Sequence, residues 1–205
     1  MIKKFEQFSH IEEMILGVDL DGVLNDFIEG FNVVYHKSFP DNYFVPSDEI
    51  DEWFWYQKLD YDGEAPDKWF FGHKAETWYY SKPYPGAIKT MRNLYEYTQD
   101  EGIILRIVTS QMTPEAEKAS IKWLMKYGIK YDDISFTYRS KDKWDNADVL
   151  IDDSPSVLKA KPDNKVSIKV NMKYNIDVNS DFKISKIGLL SPELVHKAFK
   201  KLKSL

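Results

Sequence analysis

Two aspartates stand one residue apart in Gly17-Val18-Asp19-Leu20-Asp21-Gly22-Val23-Leu24, and a pair so spaced can divide labour. One carboxylate can attack phosphorus, while the other, held in a different environment, can act as general acid and then as base. Gly22 lets the backbone pass close to a phosphate, and amide groups leading onward can donate to its oxygens. Asp-x-Asp-Gly also occurs in calcium loops, but such a loop needs a glutamate about six residues after the glycine, and Ile28 stands there instead.

Further candidates lie far along the chain. Thr109 and Ser110 follow an apolar run, and their hydroxyls could hydrogen-bond a phosphate; taken alone, such residues are more often turn formers or caps. Asp152 and Asp153 follow another apolar run. Four acids gathered in one place repel unless a cation sits among them, and oxygen ligands beside a phosphate substrate select Mg²⁺. Lys143, nine residues before Asp152, could neutralise both the acids and a phosphoryl group, with Lys141 as its competitor. His10, His36, His73 and His196 show no spacing that suggests a metal site or a dyad, and are read as structural or solvated.

The elements that must position these residues follow from apolar patterning. Met14 to Asp21 predicts a buried parallel strand, as do Gly102 to Ser110, Val149 to Ile151, and Val166 to Val170. Phe27, Phe31 and Val34 mark a helix that Pro40 and Asp41 close; Ile88, Met91, Leu94 and Tyr95 mark another. Thr113 as N-cap, Pro114 and Gly128 bracket a third, and Ser191-Pro192-Glu193 opens a last helix to about Leu202. Alternating strands and helices predict an α/β fold, a Rossmann-like open parallel sheet flanked by helices, whose ligands bind beyond the carboxyl ends of the strands.

Residues 27–84 break that rhythm. They hold 18 of the chain's 31 aromatic residues and show no convincing strand, which predicts a small inserted helical cap. The expected division is a discontinuous core, 14–26 plus 85–205, the cap at 27–84, and an N-terminal extension at 1–13. Runs such as Trp53-Phe54-Trp55-Tyr56 and Trp78-Tyr79-Tyr80 could be the cap's own core or could stack on a planar ligand.

Composition closes off other classes. A chain of 205 residues, 43% apolar and 30% charged, suits one medium domain with an insertion. The absence of cysteine excludes disulfides, thiolate metal sites and cysteine nucleophiles. The segment from Met1 to Gly17 has only the short apolar run Met14-Ile15-Leu16, so a cytoplasmic protein with no membrane partner is expected. A net charge of −5 with dispersed lysines argues against long nucleic acids.

Taken together, the motifs resemble those of the haloacid-dehalogenase-like superfamily: Asp19-Leu-Asp21-Gly-Val-Leu, Ile-Val-Thr109-Ser110, Lys143, and Leu-Ile-Asp152-Asp153, in order. Within it they are most similar to the 5'(3')-deoxyribonucleotidases, through Asp19 to Phe27, Pro83-Tyr-Pro-Gly-Ala87, Asp142-Lys143, and Ala147 to Pro155, across roughly Gly17 to Asn175. Gln111 departs from the proline usual in that family.

The resemblance implies a Mg²⁺-dependent phosphomonoesterase acting on (deoxy)nucleoside monophosphates through an aspartyl-phosphate on Asp19, with Asp21 as acid and base. It implies metal binding by Asp19, the Asp21 backbone carbonyl and Asp152, with Asp153 acting behind them or through water. Thr109, Ser110 and Lys143 would bind the phosphate; Phe27, and less directly Trp55 and Trp78, would meet the base. A phosphatase for another small metabolite and a catalytically silent nucleotide-binding module stay open as alternatives, and so does a homodimeric state.

Overall fold

The computed structural model describes residues 13–42, 46–47 and 49–205; all but Glu13 of the expected N-terminal extension lies outside them. The first half of the chain forms β1 (Ile15–Val18), the two-residue β2 (Asn25–Asp26), α1 (Phe27–Ser38), α2 (Pro66–Tyr80), β3 (Lys82–Pro83) and α3 (Ala87–Glu101). The second half forms β4 (Ile104–Ser110), α4 (Pro114–Tyr127), β5 (Asp133–Thr137), β6 (Val149–Asp152), α5 (Pro155–Lys159), β7 (Val166–Val170), β8 (Phe182–Ile184) and α6 (Pro192–Leu202).

Six strands form one parallel sheet in the order β5-β4-β1-β6-β7-β8. The four strands legible as mainly apolar runs, β4, β1, β6 and β7, are its centre, where both faces are covered and apolar residues are favoured. The edges β5 and β8 read Asp-Ile-Ser-Phe-Thr and Phe-Lys-Ile and are only partly buried, so their composition does not announce them. β1 lies between β4, reached first along the chain, and β6, reached later. The direction of winding reverses there, and a crevice opens at the carboxyl ends of such strands.

Local chemistry fixes the helix ends. The Ala116 amide donates to Thr113 Oγ1 at 3.2 Å, Pro114 fills the first position, and Gly128, at φ +61°, ends α4. Gly17 in β1 serves a different need. A side chain there would meet the Ala147 Cβ at 2.6 Å, so the segment that carries Lys143 can lie flush against the central strand only because residue 17 has none.

The aromatic-rich segment contributes α1, α2 and a 3₁₀ turn at Trp55–Lys58. Phe27, Phe31, Val34, Tyr35, Tyr56, Tyr61 and Trp69 form a buried cluster separate from the apolar core around the sheet. Edge-to-face pairs dominate it, with Phe31–Trp69 and Tyr35–Trp69 both at 5.6 Å, each worth about 0.5–1.5 kcal/mol beyond the area buried. β2 and β3 pair antiparallel where the chain leaves for this segment and returns, a pairing too short for the sequence to signal. Among the described residues no helix is long and apolar enough to cross a membrane.

Candidate active site

The carboxyl ends of β1, β4 and β6 converge on one cavity of about 210 Å³. Asp19 continues the β1 ladder, its amide donating to the Ile151 carbonyl at 3.0 Å. The chain then turns sharply, with the amides of Val23, Leu24 and Asn25 all donating to the Leu20 carbonyl. Gly22 sits in that turn at φ +79°, and a Cβ on it would lie 2.1 Å from Asp153 Oδ2. Glycine is therefore required twice over, by backbone angle and by the approach of an acid from β6.

Lys143 is the charge centre. Its Nζ lies 2.7 Å from Asp19 Oδ2 and 2.8 Å from Asp152 Oδ2, and all three residues are buried. Burial would lower this ammonium, but Asp152 and Asp19 outweigh it and hold it above the ordinary lysine range. Lys141, its sequence competitor, is exposed. Burial pushes the Asp152 carboxyl up to about 6 against the pull of Lys143. Asp153 is raised well above the ordinary carboxylate range, by burial and then by the charges of Asp152 and Asp19.

Asp19, Asp152 and Asp153 present carboxylate oxygens all within 4.8 Å of one another. Three buried acids facing one lysine leave excess negative charge, and two of their buried oxygens, Asp19 Oδ1 and Asp153 Oδ1, have no hydrogen-bond partner. This donor set, oxygen only and electron-rich, fits a hard divalent cation such as Mg²⁺. The two adjacent acids differ in what their oxygens meet. Both Asp152 oxygens are engaged, Oδ2 by Lys143 and Oδ1 by the Ser154 amide at 2.8 Å, whereas Asp153 keeps one oxygen free. The reason lies in the strand: residue 152 still belongs to β6 and points at Lys143, and residue 153 is the first beyond it.

Asp21 stands apart from that trio. Its carboxylate pairs with Lys74 at 3.3 Å and accepts from Gln111 Nε2 at 3.4 Å and Asn25 Nδ2 at 3.5 Å. Burial raises its pKa, with Lys74 opposing, a bias toward the protonated form that suits a proton donor. Thr109 and Ser110 both line the cavity. The Thr109 hydroxyl accepts from Gln111 Nε2 at 3.3 Å, and the Ser110 hydroxyl is shared with Thr137 at 3.0 Å, so Thr109 is the freer of the two to donate to a ligand.

The far side of the cavity is aromatic. Phe27, Trp55, Tyr56, Phe70 and Phe71 line it, with Trp53 and Phe54 at its mouth. Trp78 does not line it. Trp78 is buried behind Phe27 and packs on Trp123 of α4, with ring centres 5.7 Å apart, so its expected place beside a base is replaced by one in the packing between α2 and α4. His36, His73 and His196 do not line the cavity either, and His10 is outside the described residues.

Among the lining residues that sequence reasoning missed are two whose side chains reach the acids. Tyr174, in the loop after β7, donates its hydroxyl to Asp153 Oδ2. Its loop is held by Lys169, which donates to the carbonyls of Asn175 at 3.0 Å and Val178 at 2.7 Å, and by Asn175 Nδ2, which donates to the Asp153 carbonyl at 2.7 Å. Lys74, from α2, is the other. Phe70, Lys74 and Trp78 are spaced by four, so a lysine on an aromatic helix face was the available signal.

Comparison with known proteins finds relatives by sequence and by fold. A protein of Chlorobaculum tepidum, whose name assigns it 5'(3')-deoxyribonucleotidase activity, is 29% identical over 153 residues, covering 69% of this chain and 70% of its own. Two solved structures share the fold at low identity. A haloacid-dehalogenase-like family hydrolase from Xanthomonas campestris gives a TM-score of 0.55 at 9% identity over 94% of this chain and 99% of its own. The L-2-haloacid dehalogenase of Xanthobacter autotrophicus gives 0.59 at 13% identity over 90% and 98%. The family model described as "5' nucleotidase, deoxy (Pyrimidine), cytosolic type C protein" matches residues 13–186. With its haloacid-dehalogenase-like sheet and acid-lined crevice, the chain thus belongs to this nucleotidase family and is a phosphoric monoester hydrolase.

Proposed function

We propose that this hydrolase removes phosphate from (deoxy)nucleoside monophosphates by way of an aspartyl-phosphate on Asp19. The observation that carries the reading is one cavity with two unlike ends, Asp19, Asp21, Thr109 and Lys143 at one and Phe27, Trp55 and Phe70 at the other. The first end suits a phosphoryl group and the second a planar base.

In the first displacement Asp19 attacks phosphorus in line, a bond forms from its carboxylate oxygen to phosphorus, and the ester P–O bond breaks. Asp21 gives its proton to the departing sugar oxygen. In the second, water attacks phosphorus, Asp21 takes its proton, and inorganic phosphate leaves with Asp19 restored. Lys143 orients Asp19 and offsets charge on the transferring group, and the Thr109 hydroxyl donates to a phosphoryl oxygen. Mg²⁺, held by Asp19, the Asp21 backbone carbonyl and Asp153, supplies further charge neutralisation and orientation when bound. Asp152 keeps Lys143 in place beside it.

Residues 27–84 act as a cap on the core formed by 14–26 and 85–205. At about 210 Å³ the cavity is smaller than the roughly 300–1,000 Å³ common for small-molecule sites, as suits a cap lying close over its site. Phe27 is the ring nearest the acids along the chain. Phe27→Ala raises KM for nucleotides by about 5- to 150-fold, the equivalent of about 1–3 kcal/mol of stacking. An equal rise for a simple aryl phosphate, measured alongside, would show that the ring does not meet a base.

The mutual packing of the rings, such as Tyr56 stacked on Phe70 at 4.1 Å, favours one competitor, a phosphatase for another small metabolite whose cap aromatics serve only as core. Phosphate release from 5'- and 3'-deoxy- and ribonucleoside monophosphates and common sugar phosphates separates the two. Release that favours deoxynucleotides, needs Mg²⁺ and stops in EDTA is the expected result. Release from sugar phosphates alone keeps the chemistry and discards the nucleotide.

A further inference from the structure

Lys74 joins two parts of the molecule that the sequence keeps apart. It belongs to α2, in the aromatic segment, yet its ammonium lies 3.3 Å from Asp21 Oδ2 and donates to the Ser110 carbonyl at 3.1 Å. Both partners stand at carboxyl ends of sheet strands, β1 and β4. Lys74 is buried, and its Nζ lies 5.7 Å from the Phe27 ring centre, so it occupies the junction between the acidic and aromatic ends of the cavity. The other ion pairs of the aromatic segment among the described residues, Lys37–Glu76, Lys58–Glu52, Lys68–Glu64 and Lys82–Glu29, are solvent-exposed and internal to it.

We infer that Lys74 is a positioning residue for Asp21, aiming the acid at the leaving-group oxygen when α2 is seated over the site. This rests on the proposed role of Asp21 as proton donor. The other two donors to the Asp21 carboxylate, Gln111 and Asn25, are neutral and reach it only at 3.4 and 3.5 Å, so Lys74 is its one charged and shortest contact among the described residues. Seating of α2 and alignment of the acid are then a single event, because the residue that aligns the acid is carried by the element that covers the cavity.

In the first displacement, which kcat/KM reports, a residue that works through the proton donor matters only where the leaving group needs a proton; the second displacement, where Asp21 acts as base, is common to every substrate. A nucleoside departs as a poor, alkoxide-like leaving group, whereas 4-nitrophenol departs as a stable phenolate. Lys74→Met lowers kcat/KM for a nucleoside monophosphate by about 10²-fold, the lower end of what a positioned acid supplies. Its loss on 4-nitrophenyl phosphate is at least about tenfold smaller by the same reasoning. Lys74→Arg, which keeps a cation within reach, retains more of the nucleotide activity than Lys74→Met. Thermal melts of both variants establish that they are folded, with Lys74→Gln as the substitute should Lys74→Met fail to fold.

Equal losses on the two substrates, no loss on either, or an arginine variant no better than methionine would overturn the role assigned to Lys74. If the wild-type enzyme ignores nucleotides but hydrolyses an alkyl ester such as glycerol phosphate, the nucleotide reading fails and the alkyl–aryl comparison still decides Lys74. A wild type that hydrolyses no phosphomonoester defeats both.

Discussion

Asp19→Asn abolishes turnover on every phosphomonoester, lowering kcat by about 10⁴-fold or more, as removal of a nucleophile does where one residue carries the bond-forming step. The loss is chemical and not structural. Asparagine keeps the shape of aspartate, and the backbone bond from residue 19 to Ile151 does not involve the side chain. The substitution also removes one of three buried acids that crowd Lys143, so stability holds or rises. Phosphate release and a thermal melt on the same preparation check both halves. Retained activity in a folded variant would remove Asp19 from the chemistry.

Lys143→Met has the largest expected effect on stability. The lysine is the one cation in contact with both Asp19 and Asp152, and without it three buried carboxylates face one another. Breaking a buried pair on one side costs about 3–5 kcal/mol, to be read from urea unfolding in EDTA, and activity is lost with it. Added Mg²⁺ recovers part of the stability, since a cation among the acids replaces the missing charge.

The pH dependence has a definite sign. The folded Asp152 carboxyl sits at about 6, above its ordinary 3.8, so its contribution is most favourable below about 4 and is lost as pH rises through about 6. Without Lys143 that loss is steeper. The gap between wild type and variant is therefore widest near neutrality and narrows toward pH 4. A gap that stayed constant across this range would show that charge is not what Lys143 contributes.

The parts of the fold legible in the sequence are those where burial leaves no choice. β1, β4, β6 and β7 are covered on both faces and read as mainly apolar runs, interrupted at Arg106 in β4 and at Ser167 and Lys169 in β7, and the acids and hydroxyls at or just past the ends of β1, β4 and β6 are the site. β5 and β8 escape because an edge strand tolerates polar residues, and β2 and β3 because two residues carry no pattern.

Within the site, Asp19, Asp21, Thr109 and Asp152 are legible from their place at strand ends, and Lys143 from its spacing before Asp152, in the 3₁₀ stretch Ser140–Asn146. Tyr174 and Lys74 depend on where a loop and a helix from elsewhere in the chain come to rest. Trp78 shows the same limit from the other side. It lies eight residues beyond Phe70 on α2, about 12 Å along the axis. The two ends of that helix meet different partners, the cavity and α4, which ring type alone does not distinguish. The different contacts of Asp152 and Asp153 turn on a single residue's difference in where β6 ends.

The most direct test of the central claim is chemical trapping during turnover. Wild-type enzyme is mixed with substrate and Mg²⁺, quenched with borohydride, digested and sequenced by mass spectrometry. Borohydride reduces an aspartyl-phosphate to homoserine, so the account predicts homoserine at position 19, dependent on substrate, and at no other acidic position. Release of phosphate with position 19 unmodified, or with homoserine at Asp21, Asp152 or Asp153 instead, would contradict it.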